Sequence, residues 1–254
     1  MSHHMTEVRD LEFIYPDGHK AIKGMTFTIH HGESVGIIGA NGAGKSTLLM
    51  LLMGVLFPSR GEVRVGEVLV TKKTLPIVRQ RMGMVFQNPD DQLFMNTVYE
   101  DVAFGPRNYG LDEQEVEKRV LQALEMVGIP HLKDRAPYKL SGGEKRAAAI
   151  AAVLSLQPDI LIMDEPSSAL DPKSRRRLMK MLQTFDHTKI ITSHDMDMVY
   201  ELCNRIIIIH QGVVAADGPT AEILANAKLL DACGLEMPLA MQGCPVCGLN
   251  RENG

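Results

Sequence analysis

Gly39-Ala-Asn-Gly42-Ala-Gly44-Lys45-Ser46-Thr47 lies between two apolar runs, Val35-Gly-Ile-Ile38 and Leu48 to Met53. The order is strand, glycine loop, helix. Four residues separate Gly39 from Gly44, and Lys45 and Ser46 follow, which is the spacing of a phosphate-binding P-loop. The glycines let successive backbone N–H groups turn inward around an anion. A helix starting near Gly44 adds its unpaired N–H groups and the positive end of its dipole. Lys45 reaches β- and γ-phosphates as a point charge, and the Ser46 hydroxyl suits Mg²⁺, a hard ion that prefers oxygen ligands. The chain is therefore expected to bind a nucleoside triphosphate through Gly39, Ala40, Asn41, Gly42, Ala43, Gly44, Lys45, Ser46 and Thr47.

With 254 residues the chain can bury a sizeable core, as one large domain or a core with a smaller lobe. Its charge is mixed and sums to −4, which gives no nucleic-acid footprint. No apolar run approaches a membrane span and no signal peptide opens the chain, so a soluble, cytoplasmic location is expected. Four cysteines do not suggest a disulfide framework. Ser2-His3-His4-Met5 is left out of the fold reading.

Upstream of the loop, Val8 to Tyr15 reads as a strand ended by the turn Pro16-Asp17-Gly18, with Met25 to Ile29 as its partner. Tyr15 could stack on a purine base or pack on the sheet edge. Downstream, Glu62 to Val70 reads as a hairpin across Gly66-Glu67, and Pro76 to Arg81 as one or two helical turns. Met82 to Phe86 reads as a buried strand ending at Gln87, whose amide could ligate Mg²⁺, orient a water or be an ordinary loop amide.

Residues 88–156 read as a mostly helical lobe. Thr97 to Phe104 and Asp112 to Val127 have helical patterning. In the second, Val116, Val120, Leu121, Leu124 and Val127 share a face, and Asp112 with Glu115 has the form of a capping box. Leu140-Ser141-Gly142-Gly143-Glu144-Lys-Arg146 runs into an alanine-rich helix, so Ser141 and two glycines form a second candidate anion site. Ile160 to Met163 is an apolar strand ending in Asp164 and Glu165. An Asp at a strand's carboxyl end beside a P-loop suits Mg²⁺ through water, and the Glu beside it suits polarisation of an attacking water. Asp171-Pro172 leads into a basic helix. Lys189 to Thr192 reads as a strand before His194, which could donate to a γ-phosphate or be a structural or surface histidine, and Arg205 to His210 and Val213 to Ala216 as strands before a closing helix from Pro219 to Lys228.

In this order and spacing, Gly39 to Thr47, Gln87, Leu140 to Glu144, Asp164-Glu165, Ser168 to Asp171 and His194 resemble the nucleotide-binding subunits of ABC transporters over roughly residues 6–220. The resemblance implies an α/β P-loop core, 6–87 with 157–220, an antiparallel β subdomain, and the helical subdomain 88–156. It implies an ATPase using ATP and Mg²⁺, with Tyr15 on adenine, Ser46, Gln87 and Asp164 around Mg²⁺, Glu165 as catalytic base and His194 at the γ-phosphate. It also implies a head-to-tail dimer with a second ATPase subunit, a homodimer since all motifs are intact. Ser141, Gly142, Gly143 and Glu144 of one copy then close over ATP held by the other, and Asp171 lies at the interface.

Tyr15-Pro-Asp-Gly18, Val85 to Phe94 and, within the C-terminal extension 221–254, the segment Leu229 to Pro238 are similar to the energy-coupling factor branch that imports cobalt or nickel, on the cytoplasmic face of the cell membrane. Membrane-spanning coupling and substrate-binding subunits would be its partners. A vitamin importer of that type, or another ABC transporter, is the alternative. A soluble ABC ATPase acting on nucleic acid is disfavoured by the short lobe, the single cassette and the lack of a basic patch. In the tail, Cys244-Pro-Val-Cys247 is half of a thiolate zinc site. Cys233 or the tail of a second copy would have to complete it, and a reduced thiol pair without metal is the other reading.

Overall fold

A computed structural model describes residues 5–242 of the chain. The described residues fall into two compact units, divided between residues 75 and 76 and again between 187 and 188.

The first unit opens with β1 (Thr6–Ile14) and β2 (Lys20–Ile29), antiparallel across the turn at Pro16-Asp17-Gly18. Val8 and Leu11 are three residues apart, yet both are fully buried. A strict two-residue alternation cannot place them on one face, and a bulge resolves the conflict: the register shifts between Val8 and Leu11, and Asp10 takes φ 44°. β3 (Ser34–Ile38) is buried at all five positions, as a strand covered on both faces must be. It leads through the glycine loop to α1 (Lys45–Leu52). β4 (Arg60–Val65) pairs with β1, and β5 (Val68–Leu69) returns from it across Gly66-Glu67, completing an antiparallel sheet of order β2-β1-β4-β5.

A short helix, α2 (Leu75–Arg81), spans the first division. In the second unit β6 (Met82–Val85) lies parallel to β7 (Ile160–Asp164), in register from Met82↔Ile160 to Val85↔Met163. Between them in sequence come α3 (Val98–Asn108), α4 (Glu113–Met126) and α5 (Gly142–Leu154), which pack on one another. α6 (Pro172–Gln183) follows β7. The helical lobe read as 88–156 lies within this unit, which also takes in the strands 82–85 and 160–164.

On α4, Val116, Val120, Leu124 and Val127 are buried as expected, but Leu121 is half-buried and Ala123 takes a core position. Its capping box is only half formed. Asp112 accepts from Glu115 N at 2.9 Å, while the Glu115 carboxylate pairs with Arg119 and Lys118, whose charges outcompete a return bond to the backbone. The full boxes belong to α3, through Thr97 and Glu100, and to α5, through Ser141 and Glu144.

The chain re-enters the first unit with β8 (Thr188–Thr192), α7 (Met196–Leu202), β9 (Arg205–His210) and β10 (Val213–Pro219). There β8 and β9 flank β3 in parallel, and β10 turns back on β9 through Gln211 and Gly212, both at positive φ. The expected single closing helix is two, α8 (Thr220–Ala225) and α9 (Ala227–Ala232), because Asn226, at ψ 78°, leaves the helical region and caps the second.

Candidate functional site

In the first unit, the buried end of β3 delivers the chain into the glycine loop. A Cβ on Gly39 would stand 2.2 Å from the Ile209 carbonyl oxygen, so no other residue fits. Gly44 occupies the N-cap of α1 at φ 110°, a conformation that glycine alone adopts cheaply. With no side chain capping this end, the first-turn N–H groups point where the loop closes. Lys45 is buried; its Nζ donates to Gly39 O at 2.8 Å and Ala40 O at 3.2 Å, and lies 3.4 Å from His194 Nε2. Two residues 149 positions apart thus meet at the loop. Ser46, Asn41 and Gly42 are exposed. Thr47 is buried, and its Oγ1 lies 2.9 Å from Tyr15 Oη. That bond anchors the half-buried Tyr15 ring to α1. Phe13 meets the ring edge-on at 4.9 Å, and His19 lies nearly parallel to it at 6.3 Å.

The second unit carries the remaining candidates. Gln87, just past β6, has an exposed side chain and a main-chain oxygen held by Arg146. Ser141 caps α5: its Oγ accepts from Glu144 N at 3.3 Å, and the Glu144 carboxylate accepts from Ser141 N at 2.8 Å. The Ser141 backbone N–H foremost, and the Ser141 hydroxyl after it, hold the Glu144 carboxyl below its ordinary pKa. Gly142 and Gly143 differ. A Cβ on Gly143 would lie 2.8 Å from Ser174 Oγ, whereas one on Gly142 would meet nothing within 4 Å. A cleft of about 420 Å³ lies there, bordered by Gln87, Asp90, Gly142, Lys145 and Ser168.

Asp164, the last residue of β7, is buried, and Glu165 follows at φ 48°, also buried. A left-handed glutamate is uncommon, and such backbone cost collects at functional turns. Asp171 has a local duty besides the interface expected for it. Its carboxylate caps α6, accepting from Ser174 Oγ and from the backbone of Ser174 and Lys173, and the Ser174 hydroxyl chiefly keeps it ionised below the usual aspartate range.

Ser46, Gln87 and Asp164 offer only oxygen, which fits Mg²⁺. Among the described residues no group of three or more His, Cys, Asp or Glu could hold a metal. Cys244 and Cys247 lie outside the described residues. Cys233, at the C-cap of α9, is buried, and burial pushes its thiol pKa up.

Two residues that sequence reading passed over prove central to this surface. Arg146 is 4% exposed and Asp101 is 5% exposed. Asp101 fixes the loop at 94–95 by accepting from Phe94 N and Met95 N, and burial raises its pKa. Of the apolar trio there, Leu93 is core, Met95 is half-buried, and Phe94 is 65% exposed with its ring 5.0 Å from the exposed Phe104.

A family model described as ABC transporter matches residues 22–168. The chain is 45% identical to the energy-coupling factor transporter ATP-binding protein EcfA of Methanothermobacter thermautotrophicus, across 92% of this chain and 77% of that one. Two other relatives, of Geobacter sulfurreducens (63% identical across 98% of this chain and 100% of that one) and Gloeobacter violaceus (48% across 92% and 97%), carry names that give the family and no cargo. Among solved structures, CbiO1 of Clostridium perfringens, described as part of the ABC transporter complex cbiONQ, is 39% identical with a TM-score of 0.80, covering 90% of this chain and 94% of that one. The dimeric ATP-binding cassette MJ0796, in a post-hydrolysis state with ADP and Pi, is 28% identical with a TM-score of 0.78, covering 85% and 98%.

Proposed function

We propose, from the premise that the chain belongs to the ABC transporter ATP-binding family, that it powers an energy-coupling factor importer for a transition-metal ion, cobalt first and nickel next. The chain is an ABC ATPase with the mixed α/β P-loop fold of these cassettes, and hydrolyses ATP. The observation that carries the site reading is the buried Lys45 ammonium inside its own loop, 3.4 Å from His194. The EcfA and CbiO1 likenesses support the import reading.

In this reading the backbone of Gly39 to Thr47 and Lys45 hold the phosphates, and Tyr15 lies against adenine. Ser46, Gln87 and Asp164 supply oxygens for Mg²⁺, which when bound neutralises phosphate charge. Glu165 accepts the proton of the attacking water, and His194 donates to the γ-phosphate. Catalysis is then mostly positioning and charge stabilisation. A second copy closes the site with Ser141, Gly142, Gly143 and Glu144, as a homodimer with Asp171 near the shared face.

Among the described residues no helix is long and apolar enough to cross a membrane. ATP energy must then leave through a contact surface on the cytoplasmic face, and membrane subunits are its receivers. Exposed Phe94 beside Phe104 is the patch offered to them. Phe94→Asp should leave ATPase activity near normal and abolish both co-purification with the membrane subunits and uptake of labelled cobalt or nickel. Survival of both would put docking elsewhere, and uptake of a vitamin instead would replace the metal. A zinc shared by Cys244 and Cys247 of two tails extends the reading: about half a zinc per chain would support it, and metal-free, titratable thiols would remove it.

A further inference from the structure

Arg146 has no part in the chemistry above, yet it is the most deeply buried arginine among the described residues. It stands in the second turn of α5, and its Nη1 donates to Phe86 O at 2.7 Å and its Nη2 to Gln87 O. Its neighbours bind the same segment. Lys145 Nζ pairs with Asp90 Oδ1 at 2.6 Å. Gln92 Nε2 donates to Ala149 O at 2.8 Å, while Gln92 Oε1 accepts from Phe86 N at 3.2 Å. One face of α5 is thus stitched to residues 86–92 at 145, 146 and 149.

A buried charge is costly unless hydrogen bonds compensate it, and an apolar side chain of similar length would fill this space without that cost. Burial pushes the guanidinium pKa down and the nearby Asp164 charge opposes it, yet an arginine keeps its proton in a protein. Its Nε has no hydrogen-bond partner among the described residues, so the two carbonyls carry the compensation.

We propose that Arg146 is a positioning residue that clamps residues 86–92 to the start of α5, so that the Gln87 tip and the Ser141–Gly143 turn move as one body when the dimer closes. The consequence for closure rests on the reading that Gln87 and Ser141 face nucleotide; the clamp itself does not. An axial shift of α5 would then carry Gln87 with it, linking the membrane-facing segment that follows Gln87 to the turn offered to the second copy.

The test uses the full chain carrying Glu165→Gln, which blocks hydrolysis, with Arg146→Met or Arg146→Lys added. Amide hydrogen exchange without nucleotide reads the clamp. Arg146→Met should speed exchange in 86–90 and in 141–145 together, by about tenfold, with 35–52 unchanged. ATP affinity of the single chain should stay within about twofold, while ATP-driven self-association weakens about tenfold. In the chain with Glu165 intact, kcat should fall and KM for ATP hold. Arg146→Lys, with one donor in reach, should fall between. Exchange that rises in only one segment, or in neither, overturns the clamp. If Arg146→Met does not fold, wild-type exchange in Arg146→Lys overturns it equally. Coupled exchange with unaltered self-association would leave the clamp standing and refute its role in closure. Failure of the Glu165→Gln chain to dimerise with ATP would count against the nucleotide reading, with the exchange result still deciding the clamp.

Discussion

Two helices in this chain begin on glycine-rich turns, and they begin in opposite ways. α1 starts from a left-handed glycine with no side-chain cap, and a buried lysine folds back onto the loop carbonyls. α5 starts from a complete capping box in which Ser141 and Glu144 satisfy each other's backbone donors. Gly44 and Gly39 are glycines because backbone crowds them; Gly143 is one because Ser174 does; Gly142 faces open space. The first turn is built to surround an anion. The second is already a finished helix end that presents a hydroxyl and N–H groups outward, which suits a surface that closes over a nucleotide held by another copy.

The largest expected effects separate chemistry from cradle. Glu165→Gln keeps the shape of the side chain but cannot take a proton, so kcat should fall about 10²–10⁴-fold with ATP affinity little changed. Lys45→Ala should instead remove ATP binding, measured by titration of a fluorescent nucleotide. Wild-type turnover in Glu165→Gln would remove that residue as base.

The two glycine turns can then be compared directly. Gly44→Ala forces a Cβ to 2.9 Å from Ala21 O at φ 110°, and should cost about 1–3 kcal/mol as well as ATP binding. Gly142→Ala meets nothing in its own chain and should keep stability within about 0.5 kcal/mol and single-chain ATP affinity intact, while ATPase in the dimer falls. Equal loss of nucleotide binding in the two variants would erase the distinction.

A smaller effect comes from the cap itself. Ser141→Ala should cost about 1 kcal/mol in denaturant unfolding. The folded-state pKa of Glu144 is depressed, so its contribution is full above the ordinary glutamate pKa and is lost as pH falls through the lower folded value. Glu144→Gln should keep the box and remove that acid sensitivity from a melting-temperature profile.

The smallest expected effect is at Asp101, where the sign reverses. Burial raises its pKa, so the native state holds the proton more tightly and stability declines as pH rises through the interval between unfolded and folded values. Asp101→Asn keeps an acceptor for Phe94 N and Met95 N and should be the more stable chain at neutral pH, with the advantage vanishing on acidification. An advantage that persists unchanged at low pH would contradict the assignment.

Much of this was legible in the sequence because it lies in local pattern: the apolar runs 35–38, 160–163 and 206–209, and the residues just past them. Part of what was not legible depends on partners distant in the chain, and part on local competition. Arg146 follows a lysine and nothing local marks it for burial; only Phe86 and Gln87, about 60 residues upstream, explain it. Leu93 and Phe94 are adjacent apolar residues with no periodic pattern around them, and only the fold separates the buried one from the exposed one. The bulge at Asp10 is set by the need to bury both Val8 and Leu11. α7 is seven residues long, too short for a periodic signal, although Asp195 bonding Met198 N was a readable cap. The Thr97 to Glu100 capping box was equally readable from its spacing, whereas the Asp112 to Glu115 spacing misled because Glu115 had cations within reach.

The central claim is that each nucleotide is held by one copy and closed over by another. It is tested most directly by mixing two inactive chains, Lys45→Ala and Ser141→Arg, and measuring ATP hydrolysis. A mixed dimer contains one composite site with Lys45 and Ser141 both intact, so the mixture should hydrolyse ATP well above either variant alone. Activity that stays at the level of the separate variants, in samples where mixed dimers are demonstrated, would mean that the site is complete within a single chain.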